Sequence, residues 1–126
     1  LVLDDSAAAR ASIVDALATR LNVSILEADT ATCARLHAHH RPAVVVADWL
    51  LHRDTSRAYL EQRPPWMRAV LVSSATTDDA SMRAIALSVG ATYVPKPDPA
   101  RGAASMAAEY DALASIVRDL LDDATV

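Results

Sequence analysis

The chain contains no phenylalanine, one cysteine and one lysine. Cys33 has no second cysteine with which to close an internal disulfide, so stability must come from packing, and a reducing cytosol is the natural setting. No apolar run approaches the length of a membrane span, and no stretch resembles a signal peptide. A basic excess is also missing. The formal net charge is −4, whereas a nucleic-acid surface normally shows a basic patch or stripe. There is no internal repeat or low-complexity tract, and the only linker-like stretch is "KPDPARG" before the last helical segment. The scarcity of lysine is the most specific of these gaps. Twelve basic residues comprise eleven arginines and Lys96 alone, set in "YVPKPDP" at 93–99. An arginine-favouring composition accounts for the missing surface lysines. A site that requires a compact ammonium on a flexible stem, which a planar guanidinium does not replace, accounts for the one that remains.

What is present suffices for one compact domain over 1–126. The chain has 126 residues, 52% of them apolar, which is enough for a core and too much for long disorder. It starts at Leu1 inside a strand pattern and is expected to be a piece of a longer protein. Two patterns alternate along it. "LVL" (1–3), "VSIL" (23–26), "AVVVA" (43–47), "AVLV" (69–72) and "ATYV" (91–94) are short runs rich in β-branched residues and predict strands. Between them, helical spacing places Ile13, Val14, Leu17 and Leu21 on one face, then Ala34 and Leu36, then Ala58 and Leu60, then Met82, Ile85, Ala86 and Val89. The last stripe runs Met106, Tyr110, Leu113, Val117, Leu120 and predicts a helix over about 103–121. Pro42 and Pro64–Pro65 end helices, Asp78 and Asp79 load the start of the fourth, and Gly90 closes it. Alternating strands and helices predict a parallel α/β sandwich. The wholly apolar "AVVVA" belongs at its centre, and the strands carrying polar residues or proline belong at its edges, giving the flavodoxin-like order 2-1-3-4-5.

Ligands of open α/β sheets bind beyond the carboxyl ends of the strands. Strand 1 ends in Asp4 and Asp5, strand 3 in Asp48, strand 4 in Ser73 and Ser74, and strand 5 in Lys96. Taken singly, an acidic pair is more often a turn or cap, and a strand-end aspartate or serine more often a terminator. Together they describe a site. Clustered carboxylates repel unless a cation joins them, and Mg²⁺ suits a site of few carboxylates. Lysine and hydroxyl then remain as donors for an anion, a phosphoryl group being the obvious one, with a carboxylate as nucleophile.

These residues resemble the receiver domain of bacterial two-component response regulators, the family that includes the chemotaxis regulators. "LVLDDS" is similar to the strand-1 acidic motif, "VVVADW" to the phospho-acceptor strand, "VLVSSA" to the strand-4 hydroxyl motif and "GATYVPKP" to the strand-5 lysine–proline motif. The resemblance runs from Leu1 to about Leu121. It implies that Asp48 accepts a phosphoryl group from a histidine kinase or phosphotransfer protein. It also implies that Asp5 binds Mg²⁺ with Asp4 in support, and that the Leu50 backbone carbonyl completes the protein ligands. Lys96 would pair with the phosphoryl oxygens, Ser74 would turn its hydroxyl toward them, and Tyr93 would be the aromatic switch residue. Lys96–Pro97 would be cis. Phosphorylation would switch the face made by helix 4, strand 5 and helix 5, which is also the expected homodimer surface. Such a domain is not a classical enzyme, although it phosphorylates and dephosphorylates itself at Asp48 with Mg²⁺.

The resemblance has departures. After the acceptor the family commonly shows Met-Pro and a glycine-containing loop, whereas "DWLLHRDTSRAYL" has neither proline nor glycine, so the loop over 50–55 should be unusual. Leu50 and Thr76 occupy two positions associated with control of dephosphorylation. An apolar Leu50 is expected to hinder the attacking water. A pseudo-receiver that works without phosphorylation is the main rival, and a haloacid-dehalogenase-type phosphatase lacks its Asp-x-Asp here. Elsewhere, Cys33, His37 and His40 are spaced to share a helix face, but without a second ligand cluster an ordinary half-buried helix is the simpler reading.

Overall fold

The computed structural model describes residues 1–74 and 78–124. Five parallel strands form the sheet: β1 (Val2–Leu3), β2 (Glu27–Ala28), β3 (Val44–Asp48), β4 (Arg68–Ser73) and β5 (Thr92–Pro95). They lie in the order β2-β1-β3-β4-β5. The helices are α1 (Ala7–Arg20), α2 (Ala31–Leu36), α3 (Arg57–Gln62), α4 (Asp79–Ser88) and α5 (Ala103–Ala124).

Period-2 alternation along the strands divides the core into two. Leu3, Val45, Ala47, Ala69, Leu71 and Tyr93 point to the side covered by α2, α3 and α4. Val2, Val44, Val46, Val70, Val72 and Val94 point to the side covered by α1 and α5. Every residue of β3 is buried, as expected of a central parallel strand. The predicted helical faces reappear as buried Ile13 and Leu17 in α1, Met82 and Ala86 in α4, and Leu113 and Val117 in α5. Gly90 adopts φ 70°, and the Ala91 N–H returns to the Ala86 carbonyl, which stops α4 in the manner glycine permits.

Several expectations are corrected. The second strand lies at Glu27–Ala28 rather than 23–26, because β1 offers ladder partners only at Val2 and Leu3. Leu36 is 69% exposed. In α3 the buried pair is Tyr59–Leu60, with Ala58 outward. No cis peptide bond occurs among the described residues, so Lys96–Pro97 is trans, the intrinsically favoured isomer. α2 gives way to a 3₁₀ turn at His37–His40, which breaks the α-helical spacing proposed for Cys33, His37 and His40. Cys33 Sγ lies 3.9 Å from His37 Nε2, but the one candidate metal cluster among the described residues is elsewhere.

Candidate functional site at the strand ends

β1 delivers Asp4 into full burial, at 0% exposure, and the chain then turns sharply into α1. Asp4 Oδ1 accepts from the Ser6 N–H at 2.9 Å, and Ser6 in turn caps α1 by accepting from the Ala9 N–H. β3 carries Asp48 opposite Val72 of β4, and the Trp49 N–H donates to the Val72 carbonyl, so the strand stays registered past the acceptor position. β5 ends at Pro95, beyond which the Lys96 N–H donates to the Ser73 carbonyl. Lys96 is therefore fixed at both its backbone and its side chain.

The side chains converge. Lys96 Nζ lies 2.8 Å from Asp4 Oδ2 and donates to Asp48 Oδ2 at 3.2 Å. One ligand atom each from Asp4, Asp5 and Asp48 falls within a cluster no wider than 4.8 Å. Burial is the largest influence on Asp48 and pushes its carboxyl up to about 6, with Asp4 and Asp5 adding to the rise and Lys96 opposing it. Burial alone would lower the Lys96 ammonium, but the adjoining Asp4 and Asp48 carboxylates outweigh it and raise the value. Lys96 thus stays protonated while holding two carboxylates together.

This donor set fits a hard divalent cation. Three carboxylates face one ammonium, leaving negative charge unbalanced. Asp4 Oδ2 is buried and accepts no aligned hydrogen bond among the described residues, its approach to Lys96 being a charge contact. Asp5 is exposed, and none of the described hydrogen bonds or ion pairs engages its carboxylate. Oxygens around an octahedral Mg²⁺ at ~2.1 Å are about 3.0 Å apart in cis and about 4.2 Å in trans, so the cluster is of the right scale for such an ion.

Ser74 stands beside Lys96 in a cleft of about 540 Å³, whose other walls include Ser6, Pro97, Met106 and Tyr110. Ala75 and Thr76 lie outside the described residues. Leu50–Leu51 pairs antiparallel with Asp54–Thr55 in a small hairpin, and the Leu50 side chain is 55% exposed. Arg53, the second residue of the turn, takes φ 68°, a conformation glycine would adopt without strain. Tyr93 is buried on the α4 side of β5, and its hydroxyl donates to Asp79 Oδ1 at 2.9 Å. Two contacts at this end of the sheet were not among the sequence expectations, although Asp79 itself was expected at the start of α4. Arg10 donates to the Asp4 carbonyl, and Asp79 receives Tyr93.

An open parallel sandwich that gathers an acidic pair, a strand-end aspartate, a serine and a lysine at one rim has the architecture of a response regulator receiver domain. The fold is that of known receiver domains. The receiver domain of NtrX from Brucella abortus matches with TM-score 0.78 at 20% identity, covering 96% of each chain. A CheY-like receiver domain protein from Methanospirillum hungatei JF-1 matches with TM-score 0.73 at 20% identity, over 98% of this chain and 93% of that one. The signal receiver domain of NarL from Mycobacterium tuberculosis gives TM-score 0.69 at 22% identity, over 98% and 93%. No protein-family model matches the chain, and no curated protein does. Among the described residues, no helix is long and apolar enough to cross a membrane.

Proposed function

We propose that residues 1–126 form a phospho-accepting receiver domain that takes a phosphoryl group onto Asp48 from a histidine kinase or phosphotransfer protein in the cytoplasm. The observation that carries this reading is Lys96 bridging Asp4 and Asp48 beside an unengaged Asp5. A carboxyl near 6 is ionised at neutral pH, so Asp48 presents a nucleophile without a separate base. Its oxygen forms the new bond to phosphorus as the phosphorus–nitrogen bond of the donor breaks, and the departing imidazole keeps the electron pair and takes up a proton. Asp4, Asp5 and Asp48, with the Leu50 carbonyl, would hold Mg²⁺, which neutralises charge on the phosphoryl oxygens when bound. Lys96 then moves its hydrogen bond from Asp48 to the phosphoryl group, and the Ser74 hydroxyl orients another of its oxygens. Tyr93 reports that change to α4 and α5, the face through which a partner or second copy would read the state.

The test is incubation with Mg²⁺ and a small acyl-phosphate donor, followed by mass measurement of the intact protein. A stable gain of one phosphoryl group in the wild type, abolished in Asp48→Asn and reduced in Lys96→Arg, is expected. No gain from any donor or kinase supports a pseudo-receiver, a reading favoured by one observation: the hairpin that holds Leu50 against Thr55.

A further inference from the structure

The geometry points to Arg10 as the positioning residue of the proposed cation site, acting on Asp5 through the peptide that precedes it. The inference rests on the Mg²⁺ reading of the aspartate cluster given above.

Asp5 is the exposed member of the cluster, and among the described residues no hydrogen-bonded neighbour orients its carboxylate. Its position is therefore set by its backbone. The peptide from Asp4 Cα to Asp5 Cα is planar, so its atoms move as one rigid plate. One edge of that plate is already fixed, because the Asp4 N–H donates to the Ala28 carbonyl at 3.0 Å and the Asp4 side chain is wedged against Lys96 and the Ser6 N–H. The β1 ladder stops at Leu3, which leaves the Asp4 carbonyl without a strand partner just where the chain swings away from the sheet. Arg10 Nη1 donates to that carbonyl at 2.8 Å. With Asp4 Cα and the carbonyl oxygen both held, the position of Asp5 Cα follows, and only side-chain rotation remains free.

Arg10 is itself braced. Its Nε donates to Glu27 Oε1 at 3.3 Å, from the strand that pairs with β1, and its side chain is only 20% exposed. One planar guanidinium thus spans from the β2 carboxylate to the β1–α1 turn. An ammonium, a single point of charge, cannot hold both acceptors in one plane. Groups that orient ligands from behind commonly change metal affinity by about 10–100-fold when removed.

The experiment is a Mg²⁺ titration of the full chain followed by tryptophan fluorescence, Trp49 being adjacent to Asp48 in the chain. Arg10→Ala should raise the Mg²⁺ Kd about tenfold, with the far-UV spectrum of the metal-free protein unchanged. Arg10→Lys should recover little of that loss, and Glu27→Gln, which leaves the turn itself intact, should raise Kd about two- to threefold. Wild-type affinity in both Arg10→Ala and Glu27→Gln, or full rescue by lysine, overturns the positioning role while leaving the site reading in place. If Arg10→Ala does not fold, the Glu27→Gln result decides alone. Absence of saturable Mg²⁺ binding by the wild type overturns the site reading itself, and the role of Arg10 with it.

Discussion

Asp48 should weaken the metal-free protein at neutral pH, and Asp48→Asn should relieve it. The carboxyl is held at about 6 against an ordinary 3.8, chiefly because burial disfavours its charge. Roughly two pKa units at 1.36 kcal/mol each give about 3 kcal/mol as an upper bound. The group sits at a rim that opens to solvent, so screening brings the expectation nearer 1–2 kcal/mol. A carboxyl with a raised folded-state pKa makes stability highest below 3.8, where folded and unfolded chains are both protonated. That stability is lost as pH rises through about 6, because the folded state ionises only against the cost of burial. Asparagine is close in shape to the protonated acid and never ionises. Urea unfolding in EDTA across this range should therefore give coincident midpoints at acid pH and a variant more stable by about 1–2 kcal/mol at neutral pH, or roughly 0.5–1 M in midpoint. Saturating Mg²⁺ should close the gap by stabilising only the wild type. A variant equal to or weaker than the wild type at neutral pH would refute the electrostatic account of the site.

Three further outcomes follow from contacts outside the cluster. Burial first, then the hydrogen bond to Asp79, pushes the Tyr93 phenol up to about 12, so Asp79→Ala should bring it down toward 10 in alkaline ultraviolet difference titration, with Tyr93→Phe identifying the signal. Arg63 donates to the carbonyls of Leu60, Met67, Val89 and Gly90, and Arg63→Met should cost about 2–3 kcal/mol in chemical unfolding, since several acceptors lose a charged donor at once. Arg53→Gly should stabilise by about 0.5–1 kcal/mol by relieving φ 68° at the hairpin turn, and an unchanged or lower midpoint would count against strain there.

The strand ends were readable because the physics behind them is local. A β-branched run that stops at an acid, a hydroxyl or a lysine marks both the strand and its rim, and Asp4, Asp48 and Lys96 meet as that pattern implies. The stripe Met82–Ala86–Val89 likewise announced which side of α4 is buried. Features that depend on pairing partners were not readable. The run 23–26 has β-branched character, but a strand exists only where a neighbour supplies a ladder, and that begins at Glu27. The hairpin after Asp48 has no glycine at its turn, so nothing in "LLHRDT" marked Arg53 as the residue with positive φ. Arg10 and Arg63 were hidden by abundance. In a chain with eleven arginines, nothing in the sequence separates the one that donates to the Asp4 carbonyl, or the one that donates to Val89 and Gly90, from the others.

The same Arg63 contacts make α4 a lever with a fulcrum. Its lower end is pinned where the guanidinium grips Val89 and Gly90 together with the end of α3. The upper end, at Asp79, is tied across to the sheet by the Tyr93 hydroxyl. Ten residues at 1.5 Å make an arm of about 15 Å, so a pivot of roughly 10° about the pinned end would sweep the Asp79 end by about 2.6 Å. A pivot of this helix would therefore be read out most strongly at the Tyr93–Asp79 bond and least at Gly90.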